Sequence, residues 1–280
     1  MGVIEAAGVH IEAVSVGGME TCIEVPAWRL CFDIGRCPPS AHRWGRVLFT
    51  HAHIDHMGGI VSHCATRDLT GQGTTTYHVP AENHADVEAM FEAWRRLDRS
   101  TLPCTVVPAS PGDEFELGPG RVAQAFRAVH RVPTIGWALW SHKKRLKEEY
   151  AGLPGQQLGD LRRKGVVFED VVRVPEIAFC GDTTIDVVDR EEVVRNARVL
   201  ILEVTFLDEQ VSVAQARSKG HIHLDEVIER AEVFNNEAIV FTHFSLRHPR
   251  HEIPQILARR LPASLKERVF PLLPEHPWSG

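Results

Sequence analysis

The sequence has no long apolar run, no Cys-x-x-Cys pair and no excess of positive charge. None of its apolar stretches approaches the roughly 20 residues that a membrane-spanning helix requires. The first residues lack a basic segment followed by an apolar core, so we expect no secretion signal. The sequence therefore predicts a protein without a membrane segment that resides in the cytoplasm, with the nucleus as an alternative if its source is eukaryotic.

The six cysteines lie singly, and most of them stand in apolar contexts that are typical of strands. We expect free buried thiols in a reducing compartment rather than disulfides. The formal net charge is −6 at pH 7, which argues against a protein that coats nucleic acid nonspecifically. It does not exclude a nuclease, because bound metal ions and a local basic patch can supply the positive field.

What the sequence does contain is a dense cluster of potential metal ligands, in the order His-x-His-x-Asp-His at residues 51–56. An apolar run at residues 47–49 precedes the cluster and predicts a buried strand, and Gly58 and Gly59 follow it. The cluster therefore lies on a loop at a strand end, where side chains converge outside the sheet. Imidazoles and carboxylates at this density suit zinc or another borderline divalent ion. Chance clustering of sixteen histidines would not explain the strand before and the glycines after.

Three later positions each place a potential ligand at the end of a predicted strand: His130, Asp182 and His243. Any one of them alone is equally well explained as a hydrogen-bonded core residue. In a sandwich whose strands end at one edge, however, all three would meet the loop at residues 51–56. Two divalent ions about 3.5–4 Å apart share a bridging water and need several protein donors. We assign His51, His53 and His130 to one ion, Asp55, His56 and His243 to the other, and Asp182 as the bridge between them.

Further residues fit supporting roles in hydrolysis. Asp33 ends a strand just before the metal loop, where its carboxylate would orient a ligand imidazole or the loop backbone; a plain turn residue is the alternative. Two zinc ions would lower the pKa of a shared water, and Asp55 would orient or deprotonate that water. Glu203 and His221 fit the protonation of a departing alkoxide, because a Glu-paired histidine is an ordinary general acid. On chemistry alone, His221 is equally well explained as a surface residue at a helix start.

Strand and helix patterns alternate along the whole chain. The patterns predict strands near residues 11–16, 21–25, 29–35, 75–80, 176–180, 199–203 and 238–242, and helices near 83–97, 224–234 and 249–261. This mixture predicts a single domain over residues 1–280 with an αββα sandwich, in which two mixed β-sheets pack together and helices flank them. Residues 141–173 are the most basic part of the chain, and we interpret them as a short arm-like insertion that projects from the core.

The motif at residues 51–56 is the signature of the metallo-β-lactamase superfamily, and other segments resemble ribonuclease Z, above all its short plant-type form. These segments are Gly181-Asp182-Thr183-Thr184, Glu203-Val204-Thr205, Gly220-His221 and His243-Phe244-Ser245-Leu246-Arg247. The resemblance implies an endonuclease that trims the 3′ trailer from precursor tRNA. It also implies two zinc ions, with manganese as the alternative, a homodimer, and a basic arm that binds the tRNA.

The resemblance also suggests RNA contacts. The basic segment occupies the place of the arm, although the Gly-Pro-rich motif of bacterial arms is absent. We expect arm contacts from Lys143, Lys144, Arg145 and Lys147, and phosphate contacts nearer the metals from Arg67, Ser245 and Arg247. For Arg67, a solvated surface charge is an equally good explanation.

Two other functions remain as alternatives. The first is a hydrolase of small phosphodiesters or thioesters with the same fold, although a thioesterase would have no use for the basic arm or for His221. The second is a noncatalytic RNA-binding protein. The complete set of potential ligands, with Asp55 intact, argues against it.

Overall fold

The computed structural model of this protein describes residues 1–273. Its strands have two kinds of apolar residue pattern. Buried and partly exposed positions alternate at the start of the strand Val9–Val16, which is typical of a strand that packs on one face. The strands Val199–Glu203 and Ala238–Thr242 are buried at every position, as expected for parallel strands that are covered on both faces. Residues 274–280 of the predicted domain lie outside the described part.

Strands from the first part of the chain form one seven-stranded sheet, whose spatial order follows the sequence. The first four strands run antiparallel to one another. From the fourth strand to the seventh, each strand runs parallel to the next. The strands are β1 (Gly2–Ala6), β2 (Val9–Val16), β3 (Glu20–Val25), β4 (Leu30–Phe32), β5 (Arg46–Leu48), β6 (Thr75–Pro80) and β7 (Cys104–Ala109).

The remaining strands form a second seven-stranded sheet of the same mixed kind. Its first four strands are antiparallel, and the pairs from the fourth strand onward are parallel. The strands are β8 (Glu114–Gly118), β9 (Arg121–Arg127), β10 (Ile135–Leu146), β11 (Glu169–Phe179), β12 (Val199–Glu203), β13 (Ala238–Thr242) and β14 (Val269–Pro271).

Helices cover the outer faces of both sheets. Apolar residues of α2 and α3 join a core under the first sheet, and residues of α5, α6, α8, α9 and α10 join one under the second. The α-helices are α1 (Ile54–Met57), α2 (Ile60–Leu69), α3 (His84–Asp98), α4 (Gly155–Arg163), α5 (Asp186–Arg190), α6 (Glu192–Asn196), α7 (Val213–Ser218), α8 (Leu224–Glu229), α9 (Ile253–Arg260) and α10 (Ala263–Lys266). Short 3-10 helices lie at Pro26–Trp28, Pro39–Arg43, Ala81–Asn83, Glu148–Tyr150 and Ala231–Val233. The layers confirm the predicted αββα sandwich.

The inner faces of the two sheets pack against each other and fix the position of the metal loop. The rings of Phe32 and Phe179, one from each sheet, have centroids 5.0 Å apart. Trp137 is fully buried in this layer, and its Nε1 donates a hydrogen bond to the carbonyl oxygen of Phe49 at 2.9 Å. The amide of Ile135 donates to the carbonyl oxygen of Thr50 at 3.0 Å. The second sheet thus holds the backbone of the first at the point where the metal loop begins.

The sequence patterns did not predict strand β10, which has Pro133 and Gly136 near its start. In the structure Gly136 lies against the ring of Phe126, where an added Cβ would stand 2.1 Å from a ring carbon. This glycine therefore permits close packing of β10 on β9 and does not end the strand. Beyond Ser141, β10 pairs with β11 alone among the described strands, so residues 142–146 and 169–173 form a two-stranded ribbon that carries α4 at its tip.

Two predicted helices are shorter than expected. The helix predicted over residues 224–234 ends at Glu229 and is followed by the 3-10 helix Ala231–Val233. The helix predicted from residue 249 begins at Ile253, with Pro254 in its first turn. Within residues 1–273, no helix combines the length and the apolar character that a membrane crossing would require.

Candidate metal centre

The predicted ligands all lie at one edge of the sandwich. The loop after β5 carries His51 and His53, and the four-residue helix α1 places Asp55 and His56 in the next turn. The loop between β9 and β10 carries His130. Asp182 follows β11 and His243 follows β13, so both stand at the carboxyl ends of parallel strands.

One group of donors consists of three imidazoles and a carboxylate: His51, His53, His130 and Asp182. His53 Nδ1 lies 3.0 Å from His51 Nε2 and 3.3 Å from His130 Nε2. Asp182 Oδ2 lies 3.8 Å from His51 Nε2 and 3.9 Å from His130 Nε2. Burial and the neighbouring charge of His56 lower the pKa of His51 well below its ordinary value, which favours the neutral, metal-binding form of the ring.

A second group consists of Asp55, His56, Asp182 and His243. Asp182 Oδ1 lies 3.3 Å from the Nε2 atoms of both His56 and His243, and Asp55 Oδ2 lies 3.6 Å from His243 Nε2. Burial alone would raise the pKa of Asp182, but the adjacent His243 and His56 hold it well below the usual value. Asp182 is common to both groups, with one carboxylate oxygen toward each.

Several of these atoms are buried without a hydrogen-bond partner in residues 1–273. They are His56 Nε2, Asp182 Oδ1 and His243 Nε2, all in the second group. Buried polar atoms normally find a partner, because leaving one unpaired costs about 1–3 kcal/mol. A divalent cation among these lone pairs would satisfy all three. The His and Asp clusters are therefore capable of binding metal, and their donor types fit zinc.

A carboxylate behind the metal loop orients two of the imidazoles. Asp33 is fully buried and accepts hydrogen bonds from the amide of Thr50 to Oδ1 and from the Thr50 hydroxyl to Oδ2, both at 2.8 Å. Asp33 Oδ2 also accepts from His56 Nδ1 at 2.8 Å, and Thr50 Oγ1 lies 3.0 Å from His51 Nδ1. These bonds place the Nε2 atoms of both rings toward the clusters. Asp33 therefore contacts both a candidate ligand imidazole and the backbone of the metal loop.

Glu203 and His221 form a hydrogen-bonded pair beside the second group. His221 Nδ1 lies 2.9 Å from Glu203 Oε1, and the His221 ring stacks on the ring of His243 with centroids 5.3 Å apart. Burial alone would lower the pKa of His221, but the charge and the hydrogen bond of Glu203 raise it to about 9. The surrounding protein groups therefore favour a His221 ring that carries a proton at neutral pH, as a general acid requires.

Comparison with known proteins identifies the family. Residues 36–244 match the beta-lactamase superfamily domain. The chain is 42% identical over 267 residues to tRNase Z TRZ1 of Arabidopsis thaliana, and the alignment covers 95% of each chain. The chain belongs to the tRNase Z family. It is also 36% identical over 271 residues to the chloroplastic tRNase Z TRZ2 of the same plant, with 96% of this chain and 76% of the relative aligned.

These matches confirm the resemblance inferred from the sequence. Among solved structures, the short form of human tRNase Z superposes with a TM-score of 0.62 at 17% identity, covering 94% of this chain and 96% of that chain. At that identity the superposition supports the fold alone.

One of the RNA contacts predicted by analogy with the tRNase Z family is wrong. Arg67 is only 4% exposed, and its guanidinium group donates to Thr75 Oγ1 and to the carbonyl oxygens of His42 and Gln72. Arg67 lies in the last turn of α2 and faces inward. Arg67 therefore joins neighbouring loops and does not present its charge to a phosphate.

The other predicted contacts remain accessible to a substrate. Ser245 is partly exposed and Arg247 is exposed, on the loop that follows His243. Lys143, Lys144 and Arg145 are exposed on the ribbon, and Lys147 follows it and is partly exposed. Three of these four cations have acidic neighbours: Lys143 Nζ lies 2.5 Å from Glu176, Lys144 lies 3.8 Å from Glu169, and Lys147 lies 3.9 Å from Asp170.

Sequence reasoning did not assign a role to the hydroxyl of Thr50, which joins Asp33 to His51. A threonine immediately before the first motif histidine was visible in the sequence, but threonine is common at strand ends. Gly181 is a related case, since its φ of +61° and the 2.6 Å between an added Cβ and the Thr50 side chain leave no room for another residue. The packing of this glycine helps to keep Thr50 in place next to Asp182.

Proposed function

We propose that this protein is a metal-dependent endoribonuclease that removes the 3′ trailer from precursor tRNA by phosphodiester hydrolysis. The observation that carries the proposal is the convergence of two donor groups on Asp182, next to the Glu203–His221 pair. Its membership of the tRNase Z family supports precursor tRNA as the substrate.

We further propose that the centre holds two divalent ions, zinc or alternatively manganese. His51, His53 and His130 would hold one ion, Asp55, His56 and His243 the other, and Asp182 would bridge them. Such ions polarise the phosphoryl group and lower the pKa of a bound water, which supplies a nucleophile near neutral pH.

The chain's own residues would orient the substrate and move the protons. Asp55 is partly exposed at the edge of the second group, where its carboxylate can orient the attacking water and accept a proton from it. His221 would donate the proton of its Nε2 to the departing 3′ oxygen, with Glu203 holding the ring through Nδ1. Ser245 and Arg247 would contact backbone phosphates beside the cut.

One experiment tests the function and the metal content together. Purified protein is incubated with a 3′-extended precursor tRNA and with an aryl phosphodiester, before and after exhaustive chelation, and its metal content is measured. We expect close to two ions per chain and cleavage of both substrates, lost on chelation and restored by zinc or manganese. Undiminished activity without bound metal would contradict the metal proposal. Cleavage of the small substrate alone would favour the alternative of a small-molecule phosphodiesterase.

We propose that residues 1–280 form one domain with an arm at residues 141–173, and that the arm binds tRNA. The ribbon leads away from Ile135, which lies next to the metal loop, so Lys144 stands about 30 Å along the strand from it. Phosphate contacts at that distance would hold the body of the tRNA and leave the cut site unaffected. The exposed ion pairs of Lys144 with Glu169 and of Lys147 with Asp170 are weak and can yield to a phosphate.

Neutralising Lys143, Lys144, Arg145 and Lys147 together is expected to raise KM for precursor tRNA and to leave hydrolysis of an aryl phosphodiester unchanged. Each lost phosphate contact should also reduce the slope of log affinity against log salt by roughly one. Steady-state kinetics measures KM and the hydrolysis of the small substrate, and gel-shift titration over a salt series measures the affinity and its slope. The control removes Arg259 and Lys266, which are exposed on the outer helices. Equal losses on both substrates would show that the segment is structural.

We propose that the protein is a homodimer. Ile54 in α1 is 83% exposed, and together with Met57, Val87 and Met90 it lines an apolar groove between α1 and α3. We propose a second copy of the chain as its occupant, because Ile54 exposes a large apolar side chain at the groove, whereas Met57 and Val87 are buried. Sedimentation equilibrium should give a dimer, which Met90→Glu should dissociate. A wild-type monomer at all concentrations tested would contradict the proposal.

A cytoplasmic location, with the nucleus as the alternative, also remains a proposal. All six cysteines are free in the structure, which supports a reducing compartment. Microscopy of the tagged chain in its source cells would test it, and accumulation in an oxidising compartment would contradict it.

A further inference from the structure

The hydroxyl of Thr205 lies between the candidate metal centre and the Glu203–His221 pair. Thr205 is 5% exposed and follows the last residue of β12 by two positions. Its hydroxyl donates to Glu203 Oε2 at 2.7 Å, and its backbone amide donates to the same oxygen at 3.1 Å. Thr205 Oγ1 also lies 3.0 Å from His243 Nδ1. A hydroxyl has one hydrogen, so an Oγ1 that donates to Glu203 accepts the hydrogen bond from His243 Nδ1.

The other oxygen of Glu203 completes the network. Glu203 Oε1 accepts a hydrogen bond from His221 Nδ1 at 2.9 Å and from the amide of Thr183 at 3.2 Å. One carboxylate therefore holds two imidazoles by their Nδ1 atoms, His221 directly and His243 through the Thr205 hydroxyl. With both Nδ1 atoms occupied as donors, the Nε2 atom of His243 has its lone pair available for the metal cluster, 3.3 Å from Asp182 Oδ1.

A matching arrangement occurs behind the metal loop. There the Thr50 hydroxyl donates to Asp33 and lies 3.0 Å from His51 Nδ1, while Asp33 also accepts from His56. Both imidazoles of the Asp33 arrangement belong to the metal-binding groups. The Glu203 arrangement differs because His243 belongs to a group that contains Asp182, whereas His221 does not and instead forms a third possible donor group with Glu203 and His243.

We infer that Thr205 is a positioning residue whose hydroxyl couples a metal ligand, His243, to the general acid, His221, through the single carboxylate of Glu203. The inference rests on the proposed function for the role of His221. Losing the hydroxyl leaves His243 Nδ1 without its acceptor and Glu203 Oε2 with one donor instead of two. In the same variant, the metal affinity should therefore fall and His221 should be less well oriented for proton donation.

Three substitutions separate this role from packing. Thr205→Val keeps the shape and removes the hydroxyl, Thr205→Ala removes it in a smaller side chain, and Thr205→Ser keeps it. Thr50→Val is the matched control, because it removes the corresponding hydroxyl where no general acid is attached. Zinc affinity is measured by competition with a chromophoric chelator. Rates are then measured at saturating metal on phosphodiesters whose leaving groups span a range of pKa.

Thr205→Val and Thr205→Ala should weaken zinc binding by roughly 10–100-fold, as is typical when an outer hydrogen-bond partner of a ligand is lost. At saturating metal, both should lose more rate on poor leaving groups than on good ones, and Thr205→Ser should restore both properties. Thr50→Val should weaken zinc binding while keeping the wild-type dependence on the leaving group.

Two results would overturn the inference. Wild-type zinc affinity, or wild-type leaving-group dependence, in Thr205→Val and Thr205→Ala would show that the hydroxyl does not couple the two histidines. A Thr205→Ser variant as impaired as Thr205→Val would assign the effect to packing at this position and not to the hydroxyl. None of these measurements uses tRNA, so a wild-type chain that hydrolyses phosphodiesters but leaves precursor tRNA intact would contradict the proposed substrate without affecting this test.

Discussion

Asp55→Ala is expected to abolish hydrolysis of every phosphodiester substrate, with a loss of more than about 10⁴-fold. The substitution removes a group that orients the attacking water and takes its proton, a contribution of about 10²–10⁴-fold. It also removes a donor 3.6 Å from His243 Nε2, and so weakens the hold on an ion that stabilises the transition state by several kcal/mol. Single-turnover rates on precursor tRNA and on an aryl phosphodiester, measured alongside metal content, give the result.

The control for this prediction is Asp98→Ala, which removes an exposed carboxylate at the end of α3, outside both donor groups. It should keep the wild-type rates on both substrates. If the Asp55 variant retained substantial activity on either substrate, Asp55 would neither orient the attacking water nor bind the metal ion.

His221→Ala is expected to reduce precursor tRNA cleavage by about 10²–10⁴-fold while reducing hydrolysis of an activated aryl phosphodiester much less. A ribose alkoxide is a poor leaving group and needs a proton as it departs, whereas a nitrophenolate departs readily without one. Comparing these two substrates therefore separates protonation of the leaving group from attack at phosphorus. Both rates must be measured on the same preparation, with metal content shown to equal that of the wild type.

Glu203→Gln provides an independent check on the same step. The charge of Glu203 favours a proton on His221. Removing this charge should therefore also reduce precursor tRNA cleavage more than aryl phosphodiester hydrolysis, by a smaller factor than in the His221 variant. If His221→Ala lost activity equally on both substrates, His221 would be a structural or metal-site residue, and the assignment of the acid would fail.

The metal loop shows how much a local pattern can predict. Its six residues follow a strand and contain their donors at fixed short spacings, so their position at a sheet edge follows from the chain itself. The apolar runs of β12 and β13 are similarly readable, because a strand covered on both faces needs apolar residues at every position. These local patterns were sufficient for the fold class and for the residue types at the strand ends.

Other features depend on contacts between distant residues. Gly136 resembles a strand break until β9 brings Phe126 against it, and Arg67 resembles a surface charge until the last turn of α2 faces inward toward Thr75. Neither environment is encoded in the neighbouring residues. It arises from strand pairing and from the rotation of a helix on its sheet, which the packing of the whole core selects.

The hydrogen bonds behind the candidate site are the clearest example. The neighbouring residues do not show what the hydroxyls of Thr50 and Thr205 contact, yet each hydroxyl lies within 3.0 Å of the Nδ1 of a donor-group histidine. His243 is 38 positions from Thr205 in the chain. Residue types and their order along the chain predict which groups gather at the sheet edge. Which atoms of those groups face each other depends on sheet packing and side-chain rotamers, and these follow from contacts made across the whole sandwich.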